Sequence, residues 1–254
     1  NSLFRLDGQV ALVTGGNGGI GLAIARALGA HGATVAVTGR KAAKTDKAAK
    51  GLVEEGIHAT AHVFDLIDAK SCSAMVEDVI NLHGSLRILV NCAGINLRKR
   101  PELYTEAELE QILRIDLIVP FHMSVAAYRV AMCQSGGSII NIGSLLSTFG
   151  GEKFAPYSMA KGGLVQMTRS MAVAWARENV RVNAILPGWI ETDLTRSARE
   201  TVLGLNEKVL CDTPFGRWGR PEEISGAAVM LAGAASGFTT GATIRIDGGF
   251  GIAI

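Results

Sequence analysis

The chain has 254 residues, 48% of them hydrophobic and 19% charged, so it can bury a large core and is too apolar to remain disordered. Its formal charge of +2 excludes a dominant nucleic-acid-binding surface, and no run of about 18 apolar residues is present to cross a membrane. Cys72, Cys92, Cys133 and Cys211 lack CxxC spacing and partner histidines, which predicts reduced thiols in a cytoplasmic protein with no metal site.

From the first residues onward, "NSLFRLDGQV" lacks the basic-then-apolar pattern of a secretory leader. Short apolar runs then alternate with amphipathic stretches. Strands are predicted at Val10–Thr14, Thr34–Thr38, Ala59–Phe64, Ile88–Asn91, Ser138–Ile142, Val180–Leu186 and Thr243–Ile246. Most lack the alternation of a half-wet sheet, as expected of strands covered on both faces. Between them, Ile20, Ala23, Ile24, Ala27 and Leu28 make one helical stripe. The stretch "DAKSCSAMVEDVINLHG" opens on a capping Asp68 and stops at Gly84, and "TEAELEQIL" opens on Thr105 with acids in its first turn. A long helix from about Phe154 to Arg177 has apolar residues on more than one face, suiting either a partner subunit or complete burial within the monomer. The last helix, in "RPEEISGAAVMLAG", has Pro221 in its first turn. This alternation predicts an α/β fold: a doubly wound parallel sheet with helices on both faces, as one domain over residues 1–254. The segment 188–220 has no clear strand and reads as a substrate lid or as irregular helix.

The first strand runs directly into "TGGNGGIG", with five glycines between Gly15 and Gly21. Glycines at a strand-to-helix turn let a pyrophosphate approach the backbone N–H groups, and the helix dipole favours the anion. Two registers fit, Gly16-x-Gly18-x-x-Gly21 and Thr14-Gly15-x-x-x-Gly19-Ile20-Gly21. An acid after the second strand would hold the ribose hydroxyls of NAD. Here no acid occurs from Thr34 to Thr45, while Arg40, Lys41 and Lys44 do. Arg40 can fork onto a 2′-phosphate, which favours NADP(H) and leaves NAD(H) possible; a solvated basic helix start would read the same way. Asp65, after the third strand, suits an adenine amine or a helix cap.

Tyr157 and Lys161 stand four apart on one helix face. A free phenol titrates near 10, too high to shuttle protons at neutral pH, and a neighbouring ammonium draws it down. Ser144 follows the strand "SIINI", on the same rim as the glycine loop, where its hydroxyl can hold a carbonyl oxygen. A serine hydrolase is disfavoured, because there is no GxSxG and no histidine with an evident role as base.

The TGxxxGIG loop, "NCAG" at 91–94, Ser144, Tyr157-x-x-x-Lys161, "PG" at 187–188 and "IDGG" at 246–249 occur in one order along the chain. Together they resemble the short-chain dehydrogenase/reductase family over essentially the whole sequence. The resemblance implies a Rossmann-like seven-stranded sheet, a homotetramer (or homodimer), and a small-molecule substrate, with Tyr157 as general acid/base and Ser144 orienting the substrate oxygen. Lys161 would lower the tyrosine pKa and hold the nicotinamide ribose. The implied cofactor contacts are Gly15, Asn17, Gly19, Ile20, Gly21, Arg40, Lys41, Asp65, Leu66, Asn91, Ala93, Gly94, Tyr157, Lys161, Pro187, Gly188, Ile190 and Thr192. Of these, Asn91 would also support the central strand. Asp116 stands where the family's catalytic set has an asparagine, an extra charge able to alter the proton relay. Cys92 replaces a second asparagine, and Gly18 stands where NADP-using members often have a basic residue.

Beyond the rim, "GINLRKRP" presents Arg98, Lys99 and Arg100, three cations able to receive a substrate carboxylate or simply to be solvated. With Ser144 and Trp189 they form the expected substrate contacts. Within the family these stretches are most similar to gluconate and 2-deoxygluconate-type sugar-acid dehydrogenases. The alternatives are a 3-oxoacyl-thioester (acyl-carrier-protein) reductase, which Trp189, Trp218 and Phe215 would suit, and a non-catalytic dinucleotide sensor.

Overall fold

Val, Ile, Leu and Ala fill short runs that pair as β1 (Val10–Thr14), β2 (Thr34–Gly39), β3 (Ala59–Val63), β4 (Ile88–Asn91), β5 (Gly137–Ile142), β6 (Val180–Pro187) and β7 (Thr243–Ile246). The computed structural model describes residues 2–65 and 68–252. All pairings are parallel, in one seven-stranded sheet of order β3-β2-β1-β4-β5-β6-β7. The chain reverses direction across the sheet between β1 and β4, and the crevice outside the carboxyl ends of those strands is where such folds bind ligands. Registers Thr14↔Thr38, Thr14↔Asn91 and Asn91↔Asn141 align the strand ends on that rim. The expected strands agree with this to within one residue at each end.

Helices α1 (Gly19–Ala30), α2 (Ala42–Glu54) and α3 (Ala69–His83) connect the first four strands. Asp68 caps α3 through a reciprocal bond pattern with Ser71, and Gly84 closes it at φ 79°. After β4 comes an unbroken helical run: α4 (Glu106–Leu113), a π turn at Arg114–Ile118, α5 (Val119–Ala127), a second π turn at Tyr128–Met132, and α6 (Cys133–Ser135). Thr105 caps α4 in a capping box with Glu108. By length and composition alone this run could cross a membrane, but in the fold 44% of its most apolar window is buried, and it packs on α3 and α7. The long α7 (Ala155–Trp175) leads into β6; α8 (Asp193–Thr201) and α9 (Leu205–Asp212) occupy the 188–220 segment; α10 (Glu222–Ala232) precedes β7.

Alternate residues of each strand supply two cores. Ala11, Val13, Val35, Val37, Val90 and Ile140 pack under Ile24 and Leu28 of α1, Leu52 of α2 and Ile224 of α10. Val10, Leu12, Leu89, Ile139 and Val182 face Met75 and Val79 of α3, Met123 of α5 and Met171 of α7. Burial on both faces explains the absence of a polar alternation. A buried polar ladder crosses the second layer: Asn91 Nδ2 donates to Asn141 Oδ1 (2.8 Å) and Ser124 Oγ (3.1 Å), and Asn141 Nδ2 to Thr168 Oγ1 (2.9 Å). These bonds tie β4 and β5 to α5 and α7, directly behind the rim.

Candidate active site

The glycine loop is shaped by close approach of backbone to backbone. Gly15 sits at φ 67°, and a β-carbon there would lie 3.0 Å from the backbone of Ala93. A β-carbon on Gly21 would collide with the Gly15 carbonyl. Both demand glycine. The Thr14 hydroxyl accepts from the Cys92 (3.0 Å) and Ala93 (3.2 Å) amides, clamping the loop after β1 against the loop after β4. No side chain caps α1, so its first N–H groups are free for an anion.

Gly15, Asn17, Gly19, Ile20, Gly21, Arg40, Lys41, Asp65, Ala93, Gly94, Ser144, Tyr157, Lys161, Pro187, Gly188, Ile190 and Thr192 line a single cleft of about 780 Å³. Leu66 lies outside the described residues. Asn91 does not line the cleft: it is 2% exposed and its amide is spent on the ladder behind the rim. Asn17 lines it but also donates to Thr45 Oγ1 (3.1 Å), bracing the loop against α2. Thr195, Asp193 and Ile95 line the cleft as well, without having stood out in the sequence, and so does Lys44, the third cation after the second strand. Lys44 reaches it from the first turn of α2, next to Thr45, which Asn17 ties to the loop. Its ammonium is 3.4 Å from Asp193 of α8 and 2.9 Å from where a β-carbon on Gly18 would stand.

At the other end, Ser144 follows β5, while Tyr157 and Lys161 share the first turns of α7. Ser144 and Tyr157 line the same end of the cleft, and the Ser144 hydroxyl accepts from the Leu146 amide (3.2 Å). The Lys161 ammonium lies 5.6 Å from the Tyr157 ring centre, donates to the Ile142 carbonyl (3.0 Å), and pairs with Asp116 Oδ1 at 3.1 Å. Asp116 is fully buried beneath the cleft, and its second oxygen accepts from the Ile95 amide (3.1 Å). It sits in the π turn Arg114–Ile118.

Burial raises the Tyr157 pKa above that of a free phenol. Lys161 pulls it down, Asp116 pushes it up, Ser144 lowers it and Cys92 raises it. The expected lysine effect is present, but desolvation outweighs it. Burial likewise raises Asp116 against the pull of Lys161; burial lowers Lys161, but Asp116, Tyr157 and Cys92 together raise it above the usual ammonium value. The Cys92 thiol, packed beside Lys161, is pushed up to about 12 by burial.

The three candidate substrate cations separate. Lys99 pairs with Glu108, and Arg100 with Glu102 at 2.7 Å. Arg98 has no carboxylate among the described residues; it stacks 5.6 Å above Phe154 and is half-buried, which lowers its pKa. Trp189 is turned against Trp218 (5.5 Å, edge to face), so it braces the 188–220 segment instead of lining the cleft.

A model of the family described as enoyl-(acyl carrier protein) reductase matches residues 15–251. The chain belongs to the short-chain dehydrogenase/reductase family. As a member it is a nicotinamide-dependent oxidoreductase acting on CH–OH groups, which sets aside the sensor reading. It is 36% identical over 97% of its length to the 2-dehydro-3-deoxy-D-gluconate 5-dehydrogenase of Formosa agariphila, covering 94% of that protein. It is 35% identical to the 5-keto-D-gluconate 5-reductase of Escherichia coli K12, with both chains fully covered. Among solved structures, a gluconate 5-dehydrogenase from Burkholderia cenocepacia, in complex with NADP and tartrate, superposes with a TM-score of 0.95 at 35% identity, covering 100% of this chain and 99% of that one.

Proposed function

We propose that this dehydrogenase interconverts a secondary hydroxyl and a ketone on a gluconate-type sugar acid, using NADP(H). The observation that carries the reading is the convergence of Ser144, Tyr157 and Lys161 on the cleft that the glycine loop and Arg40 also line. The glycine cradle and free α1 amides fit a pyrophosphate, Arg40 and Lys44 fit a 2′-phosphate, and Asp65 fits an adenine amine. A nicotinamide held by these residues would supply the hydride chemistry at the C–H bond of the carbinol carbon. Tyr157 takes the hydroxyl proton as that C–H bond breaks, and gives it back to the carbonyl oxygen in reduction. Ser144 donates a hydrogen bond to the same oxygen, stabilising charge that develops there. Lys161 keeps a positive charge beside Tyr157, and its third N–H remains for the ribose.

Arg98, although outside the cleft lining, supports the sugar-acid assignment, because its half-buried guanidinium has no carboxylate partner among the described residues and is ready for one. The names of the relatives weigh in the same direction, and an acyl-thioester reductase finds less support. The segment 188–220 serves as the substrate lid, braced by Trp189 and Trp218. A homotetramer (or homodimer) and a cytoplasmic location complete the reading. The apolar groove between α5 and α7, lined by Leu117, Ile118, Phe121, Met167 and Met171, suits a second copy; light scattering on the purified protein tests it.

The deciding experiment is a screen of keto-sugar acids against 3-oxoacyl thioesters, with NADPH and NADH. Turnover on the sugar acids with NADPH is expected. Turnover confined to thioesters would overturn the substrate assignment.

A further inference from the structure

The proton-handling helix α7 meets a charge that its sequence neighbourhood does not contain. Asp116 arrives from the π turn at Arg114–Ile118, an insertion of one residue into the helical ladder that turns its carboxylate under the cleft floor. It is 0% exposed, and a β-carbon on Gly94 would touch its Oδ1 at 2.6 Å, so this carboxylate is enclosed by the loop after β4. The Lys161 side chain is 5% exposed, and its ammonium is held by the Ile142 carbonyl and Asp116. The titratable groups around Tyr157 are therefore Lys161 from α7, Asp116 from the π turn and Cys92 from the loop after β4, with Ser144 as the neutral partner from the loop after β5.

A lone ammonium beside a phenol acts as a monopole and stabilises the phenolate. An ammonium with a carboxylate 3.1 Å behind it acts as a dipole, whose field at the phenol is much weaker. We propose that Asp116 is a positioning residue that sets the proton affinity of Tyr157 by sharing Lys161, making the site a better proton donor than acceptor at neutral pH. The inference rests on Tyr157 being the acid/base group. Its consequence is directional. Ketone reduction needs the protonated phenol and persists to high pH, whereas alcohol oxidation needs the phenolate and climbs only as the pH rises. Burial and Asp116 both act in this direction on Tyr157.

The test is Asp116→Asn, which keeps the shape and removes the charge. In the cofactor-free protein, phenolate formation is followed by ultraviolet difference absorption, with Tyr157→Phe as the subtraction control. The variant's Tyr157 midpoint is expected to fall by about one pH unit, increasing the phenolate fraction at neutral pH about tenfold. The rising limb of the oxidation profile moves down with it, and so does the falling limb of the reduction profile. An unchanged or raised midpoint overturns the proposal, a rise meaning that Asp116 serves to keep Lys161 charged. Should the Asn variant not fold, Asp116→Ser supplies the same reading with room for a water. The absorption arm needs no substrate, so it stands apart from the screen for the sugar acid.

Discussion

The Lys44 ammonium lies 2.9 Å from the position that a β-carbon on Gly18 would take. The cation absent from the glycine loop is thus delivered through space, from the first turn of α2. Lys44→Ala and Arg40→Ala are each expected to weaken 2′,5′-ADP and NADPH binding, by about 5-fold and about 10- to 100-fold respectively. ADP and NADH should bind the variants as they bind the parent. Titration calorimetry with the paired ligands checks it; equal losses for both members of a pair would remove the 2′-phosphate assignment.

Tyr157→Phe removes the exchangeable proton and keeps the ring. A fall in kcat of about 10²-fold or more is expected, with cofactor affinity unchanged within about twofold. Single-turnover kinetics beside equilibrium binding separates the two. Retained turnover would eliminate the phenol as acid/base.

Because Glu108 and Glu102 neutralise Lys99 and Arg100, only Arg98 should answer to the substrate's charge. Arg98→Ala is expected to raise KM for a sugar acid about 10- to 100-fold while leaving a neutral polyol unaffected. Lys99→Ala and Arg100→Ala should change it less than about threefold. A larger effect at either paired site would move the carboxylate contact there.

The buried thiols make a pH prediction with a definite sign. Cys92 and Cys72 are pushed up to about 12 and about 11 by burial, so both stay protonated, and therefore unreactive, below those values. At pH near 8, maleimide should label the exposed Cys211 first and leave Cys92 and Cys72 untouched in the folded protein. Peptide mass mapping reads the order.

Asn91→Ala tests whether that residue is structural or a cofactor contact. Loss of its bonds to Asn141 and Ser124 is expected to cost about 1–3 kcal/mol and to lower Tm by roughly 2–4 °C per kcal/mol. Cofactor affinity should not change. A weaker affinity at unchanged Tm would return Asn91 to the binding set.

Much of this molecule is written locally. Val10–Thr14, Ile88–Asn91 and Thr243–Ile246 form as strands over the residues their apolar runs suggest, and Asp68, Gly84 and Thr105 cap helices where their side chains predict. Such features depend on dihedral preference and on hydrogen bonds that close within a few residues. That the glycine loop, Ser144, Tyr157 and Lys161 share one rim was legible for the same reason: it follows from their places just after a strand or one turn apart on a helix.

What only the tertiary structure decided are the interactions across the fold. Asp116 meets Lys161, Lys44 meets Gly18, and glutamates claim the two cations that follow Arg98. The sign of the Tyr157 shift belongs here too, because spacing along a helix reveals the nearby ammonium but not the desolvation that opposes it. Charge and burial act through distance in space, and only the folded chain sets those distances.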